Sequence, residues 1–109
     1  NSGHHTLQSS ETSQFEQHLR AILGLDLGST KLIHNTIMYN ILGSKEFEGE
    51  YKSLEITEEN VSLKMYGKKI SKPMRKLGHF NLVGNGGESI DQLIKKLETF
   101  KEIASVQSI

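Results

Sequence analysis

Apolar positions divide the chain into segments of two different periods. Phe15, Leu19, Ile22 and Leu23 recur at helical spacing on one face. Ahead of them Thr12 or Ser13 can cap a helix, with Glu16 three residues after Ser13 in capping-box position. Gly24 supplies a stop, so the pattern predicts a helix over 13–23, followed by a glycine-containing loop over 24–31. The run from Ile33 to Leu42 is rich in β-branched and large apolar residues, ends at Gly43, and reads as a strand. Val61-Ser62-Leu63-Lys64-Met65-Tyr66 alternates apolar and polar, as does Gly78-His79-Phe80-Asn81-Leu82-Val83. Joined by a basic connection over 67–76, the two predict a long-looped hairpin over 61–83. Gly84-Asn85-Gly86-Gly87 breaks the chain before a last helix over 88–103, whose expected buried stripe is Ile90, Leu93, Ile94 and Leu97.

Helix, three strands, helix is the order of an α+β fold: a small antiparallel sheet flanked by helices. Residues 44–60 carry six Glu and two Lys and read as a surface excursion. With 109 residues, 35% of them hydrophobic, the chain can bury one modest core and has little left for a deep two-lobed site. Thirteen basic and thirteen acidic residues cancel, so the chain as a whole has no general attraction for nucleic acid or an anionic membrane. The absence of cysteine excludes disulfides, zinc–thiolate sites and thiol catalysis. No apolar run approaches the roughly 20 residues that span a bilayer, and a cytoplasmic protein is expected. The opening Asn1-Ser2-Gly3-His4-His5-Thr6 has no initiator Met and reads as the middle of a longer polypeptide.

Locally the charge does not cancel. Lys64, Lys68, Lys69, Lys72, Arg75 and Lys76 fall within thirteen consecutive positions that hold no acid. Such a connection can close on one phosphate, with Arg suited to bidentate contact and Lys acting as a point charge. It can equally be a solvated basic loop. Tyr66 alone interleaves the charges with an aromatic ring, which argues against a nucleic-acid track. Leu25-Asp26-Leu27-Gly28-Ser29-Thr30-Lys31 looks like the first phosphate loop of actin-like kinases, but the residues before it carry helical periodicity where that motif needs a strand. Gly84 to Gly87 lacks the Lys-Ser/Thr ending of a P-loop and reads as a turn. The five histidines show no metal-ligand spacing with carboxylates and read as structural or surface residues.

Asn1-Ser2-Gly3-His4-His5-Thr6 followed by Gln14-Phe15-Glu16-Gln17-His18-Leu19 closely resembles the 5-(carboxyamino)imidazole ribonucleotide synthases, ATP-grasp carboxylases of purine synthesis. Met38-Tyr39-Asn40-Ile41-Leu42-Gly43 looks like that family's core strand. Tyr66-Gly67-Lys68 and Arg75-Lys76-Leu77-Gly78-His79 resemble its signature hairpin. The likeness covers roughly residues 1–83. It departs at Asp26, where Pro is usual, and at Lys72-Pro73-Met74-Arg75, where Arg-Pro-Gly-Arg is usual.

The resemblance implies the C-terminal region of an enzyme that uses ATP and bicarbonate to carboxylate the exocyclic amine of 5-aminoimidazole ribonucleotide. By that likeness residues 1–12 are the tail of the ATP-grasp domain and 13–109 the C-terminal domain, a rudimentary barrel-like motif. Lys68 and Arg75 would hold the ribonucleotide phosphate. Asn1 would reach the magnesium (Mg2+)–ATP site, whose partner carboxylates precede this chain. Ser2 and His4 would shape that site without a chemical step, and Lys72 would support the phosphate contact. No nucleophile or general base is identified. The expected partners are the upstream ATP-grasp domains and, at full length, a second copy in a homodimer. The 109-residue chain alone is expected to be inactive. Other readings are a free-standing interaction domain descended from such an enzyme, or a fragment of the related formate-using transformylase.

Overall fold

Three strands are stitched into one antiparallel sheet in the order β1-β3-β2. They are β1 (Thr36–Leu42), β2 (Val61–Met65) and β3 (Lys76–Val83), described here from a computed structural model that covers residues 2–85 and 87–109. Helices α1 (Thr6–Ser9) and α2 (Gln14–Ile22) precede the sheet, with a 3-10 turn over Ser2–His5 before them, and α3 (Ile90–Ile103) follows it. The α+β expectation holds, as does the antiparallel pairing of β2 with β3.

Alternation along β3 gives the sheet two unlike faces. Phe80 and Leu82 pair across the ladder with Tyr39 and Ile37 on one side and with Leu63 and Val61 on the other. This face carries the core, where Ile41, Leu77, Phe80 and Leu82 meet Leu93, Ala104 and Val106. The opposite face holds His79 and Asn81, beside Asn40 and Met38 of β1 and Lys64 and Ser62 of β2. It receives the opening segment, since the Asn81 amide donates to the His4 carbonyl at 2.8 Å and also to Gln8 Oε1.

Several boundaries and faces differ from the sequence pattern. The first strand begins at Thr36, three residues after Ile33, because Ile33 N–H is spent on the Ser9 carbonyl at 2.6 Å. On α3 only part of the expected stripe is inward: Leu93 is fully buried, while Ile90 and Ile94 are about half exposed. The contacts continue instead through Leu97 and Phe100 to Ala104. Residues 44–60 are not merely a surface excursion, for Phe47, Tyr51, Leu54 and Ile56 pack on the core. Phe15, Leu19, Ile22 and Leu23 do share one helical face, but it lies open, at 42–68% exposure.

Candidate functional site

The basic connection is held from both sides by main-chain bonds. Gly43, just past β1, donates to the Arg75 carbonyl at 2.8 Å and accepts from Met74 N–H at 3.1 Å. The approach is close enough that a Cβ at Gly43 would lie 1.9 Å from the Lys72 carbonyl oxygen, which only glycine tolerates. From the other flank Gly49 and Ser71 exchange both backbone bonds, at 3.0 and 2.8 Å, and the Tyr51 hydroxyl donates to the Lys68 carbonyl. Within the connection Arg75 N–H donates to the Lys72 carbonyl at 3.0 Å, closing a turn in which Met74 has φ 63°. The left-handed conformation that glycine takes so readily is thus adopted here by methionine.

Lys68 and Arg75 leave this frame with unlike surroundings. The Lys68 ammonium donates to the Lys76 carbonyl at 2.6 Å, so it sits against the main chain immediately after Arg75, and it lies 6.0 Å from the centre of the Tyr66 ring. The exposed Arg75 guanidinium donates to the Ile70 carbonyl at 3.2 Å. Lys72 is exposed. Among the described residues the ion pairs are Arg20–Glu16, Lys96–Glu88 and Lys101–Glu98, none of them to a cation of the connection.

Beside it opens a cleft of about 540 Å³. His4, Gln8 and Phe15 form one wall, and Lys64, Tyr66 and His79 another. The opening segment therefore shares this cavity with Lys64 and Tyr66, which lead into the basic connection, while Lys68 and Lys69 line a second hollow together with Glu50. The floor of the cleft is an aromatic group: His4 stacks on His79 with centroids 4.4 Å apart, and the Tyr66 hydroxyl reaches Nδ1 of His79 at 2.9 Å and of His4 at 3.3 Å. The hydroxyl has one proton, so at most one Nδ1 accepts from it, and a ring that bonds as donor must carry its proton on Nδ1. Burial, helped by the nearby His4 and Lys64, lowers the His79 pKa from 6.5 to about 4. Burial also lowers His4, with Lys76 adding to the effect. Both rings are neutral at pH 7, and the stack carries no charge repulsion.

This cluster was invisible in the spacing of the histidines, because 75 positions separate His4 from His79 and only the ladder brings them together. The available signal was His79 beside Asn81 on the polar side of an alternating strand. Ser2 opens the 3-10 turn and is exposed. Asn1 lies outside the described residues. Among the described residues no three His, Asp or Glu side chains converge as a metal site needs, so the residues present do not by themselves fit magnesium. The rejection of the actin-like reading is borne out by α2, which is helical through Ile22 where that motif requires a strand. Gly87, with φ 102°, bears out the turn reading near 84–87.

Fold and cleft define the class: a small α+β domain with an antiparallel three-stranded sheet, an open apolar flank and a cationic connection beside a cleft lined by His4, Tyr66 and His79. The chain belongs to the family described as the phosphoribosylaminoimidazole carboxylase C-terminal domain, which matches residues 36–93. It is 42% identical over 99 residues to the N5-carboxyaminoimidazole ribonucleotide synthase of Vibrio cholerae, covering 91% of this chain and 25% of that protein. The crystal structure of N5-carboxyaminoimidazole ribonucleotide synthetase from Thermotoga maritima superposes with TM-score 0.88 at 40% identity, over 100% of this chain and 31% of that one. The Aspergillus clavatus synthase, solved with ADP and 5-aminoimidazole ribonucleotide, gives TM-score 0.74 at 26% identity over 95% of this chain and 28% of that one. The chain spans about a quarter of the length of the curated relatives it matches.

Proposed function

We propose that this chain is one wall of the active site of an ATP-dependent carboxylase that converts 5-aminoimidazole ribonucleotide and bicarbonate to the N-carboxy product. Lys68 and Arg75 grip the ribonucleotide phosphate, and Lys72 adds to the local field. One observation carries this reading: a carboxylate-free run of cations is pinned by Gly43, Gly49 and Tyr51 beside a cleft shared with the opening segment. A merely solvated loop has no need of such fixing, whereas a phosphate site gains from cations whose main chain is already ordered.

The relatives support the ligand assignment, since one was solved with both ADP and the aminoimidazole ribonucleotide. ATP, magnesium and bicarbonate are assigned chiefly to the domains preceding this one, with Asn1 at their margin. The open flank of α2 favours a docked domain over a free-standing one, because Leu19, Ile22 and Leu23 are each more than half exposed.

In the full-length enzyme, Lys68→Ala and Arg75→Ala should each raise KM for the ribonucleotide far more than KM for ATP. A charge-assisted hydrogen bond is worth about 1.5–3 kcal/mol, or roughly 10- to 100-fold. Steady-state kinetics with each substrate varied in turn checks this. Equal effects on both KM values contradict the assignment.

A further inference from the structure

The phosphate grip leaves the aromatic floor of the cleft without a task. The four-residue 3-10 turn over Ser2–His5 buries none of its residues, so packing alone does not fix its position. Side chains do. The His4 ring lies on His79 at 13° from parallel, and its carbonyl accepts from Asn81. The Tyr66 hydroxyl bonds to both imidazoles. Tyr66 is also two residues from Lys68, whose ammonium lies near the same ring. A single side chain therefore bonds the opening motif through its hydroxyl and lies with its ring centre 6.0 Å from the ammonium of the substrate-gripping lysine.

We propose that Tyr66, anchored by His79, is a positioning residue: its hydroxyl bridge to His4 sets the opening motif at a fixed distance from Lys68 and so aligns the two bound reactants. The inference rests on the phosphate reading of Lys68 and on the placing of the opening motif at the nucleotide site, both given above. His79 suits the anchoring part. It is 2% exposed, and its cross-strand neighbours are Asn40 and Lys64, neither of which is a carboxylate that would charge the ring and break the stack. His79 itself is held on the central strand by a ladder on both sides. The chain thus runs rigid strand, buried imidazole, hydroxyl, imidazole, opening motif. The tyrosine hydroxyl is the jointed link of this route, beside the direct His4–His79 stack and the Asn81 bond to the His4 carbonyl.

Tyr66→Phe in the full-length enzyme removes that link and keeps the ring. The expected result is a fall in kcat of about tenfold or more, with KM for ATP and for the ribonucleotide each moving less than about twofold, because each ligand keeps its own contacts while their alignment is lost. Amide exchange over residues 2–9 should quicken while 61–83 stay protected. Unchanged kcat overturns the proposal. So does a fall in kcat accompanied by comparable rises in both KM values and lower thermal stability, which is the signature of ordinary packing. Lys68→Ala measured alongside separates the two layers. If it leaves the ribonucleotide KM unmoved, the phosphate reading fails by itself, whatever Tyr66→Phe shows about the bridge.

Discussion

Met74 occupies a backbone position that suits glycine, at φ 63° and with its side chain 60% exposed. A left-handed conformation costs an L-residue about 1–2 kcal/mol, and nothing in the exposed side chain's surroundings offsets it. The turn holds because Met74 N–H and Arg75 N–H are both committed, to Gly43 and Lys72. Met74→Gly should relieve the strain, less about 0.4–1 kcal/mol for glycine's greater freedom in the unfolded chain. A net gain of about 0.5–1 kcal/mol is expected, read as a higher urea midpoint at unchanged slope. A lower midpoint would mean that the methionine stabilises the turn. The resemblance alone marks Met74 as a point where glycine is expected. Whether the loop changes shape was not legible there, because the deciding bonds come from Gly43, thirty-one positions away. His4 and His79 illustrate the same limit. Their types were plain, but their stacking depends on a ladder register that no local spacing encodes.

At the scale of elements, period and caps were legible and the buried face was not. Ser13 caps α2 by accepting from Glu16 N–H at 3.1 Å, as its spacing indicated, and Glu16 then pairs with Arg20 at 2.7 Å instead of completing the box. Ser89 and Gln92 form a full reciprocal box at α3. On α3 the apolar stripe is wider than the contact. The approach of the helix to the sheet, not its periodicity, selects Leu93 over Ile90 and Ile94. On α2 the stripe is largely open: Phe15 meets the His4 ring at 5.3 Å between centroids, and Phe15, Leu19 and Leu27 line an open hollow. If that flank docks against preceding domains, Leu19→Glu should act differently in two settings. In the 109-residue chain it should leave stability nearly unchanged and reduce self-association seen by light scattering. In the full-length enzyme it should cost about 1.5–3 kcal/mol, the worth of one buried leucine, as a lower melting temperature. Equal tolerance in both settings would show that the flank faces water.

At the scale of the whole molecule, the α+β architecture could be read from the chain, and the cationic connection was legible as a run of charges; the aromatic cluster of the cleft was not. Strand order was hidden because β3, last of the three in sequence, is central in the sheet. Yet this arrangement accounts for the domain's usefulness. Its apolar face is closed by α3, while its polar face turns His79 and Asn81 toward the opening segment, from which direction the rest of such an enzyme would arrive. A wall of this kind supplies fixed positive charge, which can be worth several kcal/mol in a closed, water-poor site. Open to solvent, the same charges are screened and worth far less. The described residues also lack a convergent set of metal-ligating side chains for a nucleotide's cation. The 109-residue chain supplied with ATP, magnesium, bicarbonate and aminoimidazole ribonucleotide should therefore release no ADP above background. Ribonucleotide-dependent ADP formation by this chain alone would place a working nucleotide site within these residues, and the division of labour between this wall and the preceding domains would have to be abandoned.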